Sequence, residues 1–123
     1  MRLAIGAAAA VVLLGLAGPA GAAMTVEEFL AKIAGLKAKG PFALFSGDIG
    51  LLKRESAVAV ANLAAEKKVR AAAGQPPLYC ASDDTRMSAN QMIAGLQRIP
   101  PAERRVSLQD GFRRVIVATY PCR

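Results

Sequence analysis

The chain predicts a small all-α fold, a bundle of about four helices closed by one disulfide. Apolar residues recur at helical spacing in four stretches, and three of these follow a Thr or Ser that can cap a helix. The only two cysteines, Cys80 and Cys122, flank the last two stretches.

The first 22 residues read as a secretory leader. Arg2 precedes an apolar run from Leu3 to Leu16, and Ala20-Gly21-Ala22 offers the small residues that signal peptidase accepts, with cleavage after Ala22 or one residue later. Gly15, Gly18, Pro19 and Gly21 break up the second half of the run, which favours cleavage over the alternative of an uncleaved anchor of about 20 residues. Removal leaves residues 23–123, enough for one helical domain, outside the cytoplasm and with no membrane segment. In such a compartment two cysteines most simply form one bond. Closing a loop of about 43 residues is worth roughly 4 kcal/mol in the chain-entropy picture.

The full chain carries +7, of which only Arg2 is lost with the leader. A nucleic-acid partner is not expected, because there is no Trp for stacking and the basic residues fall in scattered pairs. A charge well away from zero also serves solubility.

Thr25 and Glu28 form a capping box for a first helix from about Val26 to Lys39, with Val26, Phe29, Leu30, Ile33 and Leu36 on one face. Gly40-Pro41 stops it. The loop from Pro41 to Gly47 holds Phe42, Leu44 and Phe45; burial against the bundle is expected, and a binding loop is the alternative. Ser46 or Asp48 can cap a long second helix that reaches about Ala73 and ends at Gly74. Leu51, Val58, Ala65, Val69 and Ala72 make its main stripe, widened by Leu52, Ala59, Val60 and Leu63. A segment so apolar all round needs cover on more than one side, as the central helix or at a homodimer contact. Glu55 and Asn62 are expected at partly exposed boundary positions.

Asp83 and Asp84 supply turn chemistry ahead of a second capping box, Ser88 with Gln91. Met92, Ile93, Leu96 and Ile99 follow on one face until Pro100-Pro101, and Pro101 to Arg105 can add a turn of helix. Ser107 with Asp110 then caps a last helix carrying Leu108, Phe112, Val115, Ile116 and Thr119. Val115-Ile116-Val117 would also suit a strand, but the cap and the 3.6-residue period agree on helix.

Catalytic chemistry is hard to find. The absence of histidine removes the commonest general base and zinc ligand. No phosphate-cradling glycine loop or calcium loop is present, and the cysteines are not spaced as a redox pair. Nothing in the sequence places a lysine beside one of the serines, Ser46 among them, as a Ser-Lys pair needs. Solvated helix faces account for Lys67-Lys68, Arg104-Arg105 and Arg113-Arg114, with Asp110 and Arg114 as an i,i+4 pair. No catalytic residue, metal ligand or cofactor is therefore assigned.

Tyr79-Cys80, a short polar turn, Ser88-x-x-Gln91, an apolar helix ending near Pro100 and a last helix closing with Tyr120-Pro121-Cys122 make a succession that resembles the Tai-like and Rap immunity family. The resemblance covers about the C-terminal half of the mature chain, and the closing Tyr-Pro-Cys is its most specific part. It implies a compact helical fold that often dimerises, in a small exported protein that neutralises a peptidoglycan amidase delivered by type VI secretion. Cys80 and Cys122 carry over as a structural pair, and no effector-contacting residue does. The expected function is thus that of a periplasmic, non-enzymatic binding protein whose partner is another protein, a secreted amidase in the immunity reading. A holdase-like envelope stress chaperone is the alternative.

Overall fold

A computed structural model of the chain describes residues 23–82 and 86–123. The expected leader, residues 1–22, and the Asp83-Asp84 turn lie outside the described residues.

Among the described residues four α-helices follow in order: α1 (Val26–Lys39), α2 (Asp48–Ala72), α3 (Ala89–Gln97) and α4 (Leu108–Thr119). Two 3₁₀ segments, Gly40–Phe45 and Pro101–Glu103, connect them. The capping boxes at α1 and α3 are both formed, each Ser or Thr side chain accepting from the third backbone N–H while the Glu28 or Gln91 side chain reaches back. Ser107 caps α4 by accepting from the Asp110 N–H. Neither expected residue caps α2 directly: Gly47 holds the cap position without a side chain to offer. Ser46 Oγ accepts instead from the Asp48 N–H at 3.2 Å, and Asp48 joins the first turn, where it meets Lys32 of α1 at 3.4 Å.

Val26, Phe29, Leu96, Ile99, Leu108, Phe112 and Val115 form the centre of the core, with the Phe29 and Phe112 rings edge to face at 6.2 Å. The chain entering α1 is tied to the chain entering α4. Leu108 N–H donates to Met24 at 2.7 Å, Val26 N–H to Val106 at 3.0 Å and Glu27 N–H to Arg104 at 2.8 Å, around an isolated Thr25–Ser107 bridge. Among the described residues there is no other β pairing. Two glycines allow the helices to approach. A Cβ at Gly95 of α3 would meet Val115 Cγ1 of α4 at 2.5 Å, and one at Gly111 of α4 would collide with Val26 of α1 and crowd Leu96 of α3.

The buried face of α2 differs from the expected one. Leu52, Ala59 and Leu63 enter the core, whereas Val58 and Val69 of the expected main stripe are largely exposed and only Leu51 packs partly inward. Apolar stabilisation follows area, and two leucines bury far more than the alanines that make up much of the other stripe. Nor is α2 central. It lies against α4 and α1, and its outer side, with Val58 and Val69, faces away from the bundle. Asn62 is exposed and donates to Gln109 at 3.0 Å, and Glu55 is half-buried, both at the boundary as expected.

Cys80 and Cys122 are bonded, with Cα atoms 4.9 Å apart. The bond joins the chain ahead of α3 to the chain after α4, and the Cys80 N–H donates to Tyr120 at 2.8 Å beside it. A disulfide of this kind belongs to an oxidising environment. Among the described residues no helix is long and apolar enough to cross a membrane.

Candidate functional site

The feature that departs most from ordinary burial is the 3₁₀ segment after α1. Gly40 takes φ 56°, a left-handed conformation that suits glycine, and its N–H closes the end of α1 on Lys37. Pro41 then fixes φ at the second position of the tighter turn, and the Ser46 N–H returns to Ala43 at 3.0 Å. The Lys39 ammonium reaches Ser46 Oγ at 3.4 Å across the base of the segment.

On this short, tied frame Phe42, Leu44 and Phe45 point outward, 72%, 81% and 87% exposed. The expected burial of this loop is therefore wrong. A six-residue 3₁₀ turn sends its side chains to all sides, and the one that turns partly inward is the small Ala43. Three large apolar residues within four positions are held by a proline, a glycine cap and a hydrogen-bonded base, so burying them against another surface would cost little conformational freedom. Lys37 and Lys39 before it, and Arg54 after it, are exposed and give it a basic collar. The carboxylate of Asp48, in the first turn of α2, is engaged with Lys32.

The structure does bring a serine and a lysine together, Ser46 and Lys39, which spacing alone did not. Lys39 is exposed, and Ser46 Oγ already accepts from the Asp48 N–H. The pair braces the turn.

The basic doublets also divide in a way that periodicity did not show. Arg104 donates from Nε to Ile99 and from an Nη to Gln97, both at 2.8 Å, and so closes the C-terminal end of α3. Arg113 links Glu66 of α2 with Asp110 of its own helix. Its hydrogen bonds hold the Glu66 carboxyl below the usual carboxylate range against the opposing effect of partial burial, and Glu66 in turn raises Arg113 above its own. Arg114 meets Asp110, as expected, and also Glu103. Lys67 sits 5.6 Å over the Tyr79 ring, while Lys68 and Arg105 are exposed. A hollow of about 170 Å³ lies beside the Glu66–Arg113 pair, bounded also by Leu63, Arg70 and Tyr79, and the charges along it are already partnered.

Among the described residues no three acidic or cysteine side chains converge as metal ligands would. The arrangement offers an apolar projection in a basic setting. Comparison with protein-family models, curated proteins and solved structures returned no match.

Proposed function

We propose that this is a periplasmic, non-enzymatic protein that acts by binding another protein, and that it blocks a peptidoglycan amidase in the manner of an immunity protein. The exposed Phe42, Leu44 and Phe45 on their braced turn carry the reading. Apolar anchors that fill a pocket dominate interface energetics, and blocking an enzyme cleft requires a rigid complementary surface but no chemistry. The basic collar fits a cleft with an acidic rim. The amidase as target rests on the resemblance of the Tyr79-Cys80 to Tyr120-Pro121-Cys122 succession to the Tai-like and Rap immunity proteins, and the leader-like residues 1–22 support the periplasm.

The test is an inhibition assay with a peptidoglycan amidase of the type VI-delivered class. A complex of fixed stoichiometry and loss of muropeptide hydrolysis are expected, with both abolished by a combined Phe42→Ser and Phe45→Ser variant. Unimpaired hydrolysis at saturating protein would refute amidase blockade.

The exposed Val58, Val60 and Val69 on α2 favour a second reading, a holdase-type envelope chaperone. It predicts suppression of aggregation across unrelated clients without fixed stoichiometry, increasing in acid.

A further inference from the structure

A groove of about 680 Å³ opens on the side of the bundle where α1, α2, α3 and α4 meet the chain ahead of α3. Its floor is the core itself, Phe29, Leu52 and Phe112, so the hydrophobic interior reaches the surface there. Ile93 and Ile116 form apolar walls, and Met92 adds an adaptable one. At the end nearest the disulfide stand Tyr79 and Tyr120, the chain's only two tyrosines.

Among the described residues the charges that line this groove are of one sign. Lys53 and Arg86 line it, no carboxylate does among the described residues, and neither cation makes an ion pair among those residues. The remaining polar groups are the hydroxyls of Ser56, Ser88 and the tyrosines. Small-molecule sites have volumes of roughly 300–1,000 Å³, apolar walls and a few polar groups that fix orientation. A ligand rich in hydrogen-bonding groups would leave most of them unmatched on these walls. A long single hydrocarbon tail would not, and an anionic head would find Lys53 and Arg86 at the rim.

We propose that this groove binds a single-chain anionic amphiphile, a fatty acid, with its tail over Phe29, Leu52 and Phe112 and its carboxylate toward Lys53 and Arg86. The site is separate from the Phe42–Phe45 projection, so it stands or falls independently of amidase blockade.

Occupancy can be read from tyrosine emission, since there is no Trp and both tyrosines line the groove. The oxidised chain is titrated with decanoate, laurate and myristate below their micellar concentrations, with calorimetry for stoichiometry. One saturable site is expected, with affinity rising about fourfold per added methylene. The alkylammonium of equal chain length should bind at least tenfold more weakly. The combined Lys53→Glu and Arg86→Glu variant, which changes exposed side chains and no core contact, should erase that preference while keeping the thermal midpoint. Ser56→Trp should block binding by filling the wall. Three results would overturn the proposal: no saturable binding, equal affinity for carboxylate and alkylammonium, or a ligand-free dimer in sedimentation that Ser56→Trp dissociates, which would make a second copy the occupant.

Discussion

Arg113 of α4 meets Glu66 of α2 side on, with Nε 3.1 Å from one carboxylate oxygen and an Nη 2.6 Å from the other. The two residues are 47 positions apart and join the helix pair with the most extensive contact in the bundle. Both side chains are about a quarter to a third exposed, and a fork-to-fork pair in such a place holds better than a typical surface ion pair.

Replacing Glu66 with Gln should remove about 1 kcal/mol at neutral pH. Because the folded-state carboxyl titrates below its ordinary range, its contribution is complete above the unfolded glutamate value of about 4.3 and is lost as the pH falls through the lower folded value. Urea midpoints measured from neutral into acid should therefore converge for the wild type and Glu66→Gln as the pH falls through the lowered value of the folded carboxyl. A gap that stays constant into acid would mean that the pair does not provide this stability.

Two glycine substitutions should have opposite signs. Gly111→Ala places a methyl against Val26 and Leu96 and should cost about 1–3 kcal/mol. Gly35→Ala, in the middle of α1 with open space around the new methyl, should stabilise by about 0.5–1 kcal/mol. Thermal melts of the two variants beside the wild type decide it.

Leu63→Ala should lose about 2–5 kcal/mol, since Leu63 is 3% exposed. Val69→Ala, on the face that the sequence favours for burial, should change stability by less than about 0.5 kcal/mol. Equal losses would mean that α2 is turned the other way.

That contrast marks where the sequence was legible. The capping residues announced their helices locally, and α1 runs over the expected span because Thr25, Glu28 and Gly40 act within a few residues of themselves. The Cys80–Cys122 bond was legible because a chain with two cysteines offers one internal pairing. The facing of α2 was not, because a helix apolar on most sides leaves rotation to its neighbours, and the Arg113–Glu66 contact spans 47 residues. The exposure of Phe42 and Phe45 was hidden for a similar reason. Aromatics normally signal burial, and only the direction of a 3₁₀ turn reversed that rule.

The combined Phe42→Ser and Phe45→Ser variant should keep its melting temperature close to that of the wild type, because neither ring contributes to the core. Binding to the proposed amidase partner should weaken by about thirtyfold or more. Circular dichroism and calorimetry on the same sample separate the two effects.

Cys80→Ser should destabilise by roughly 4 kcal/mol in the chain-entropy picture, and Cys122→Ser by the same amount, with no further loss when the two are combined. Chemical denaturation of the three variants tests this, and additive losses would show that the sulfurs contribute separately.

The sulfur bond also decides what a single proteolytic cut can do. The connection between Cys80 and Ser88 lies inside the covalent ring, as do α3 and α4. A protease that severs the backbone there opens the ring without releasing either piece, so both fragments remain tethered and can stay folded together. Protein damaged in this way in a protease-rich compartment would still migrate as one molecule until a reductant separates its halves.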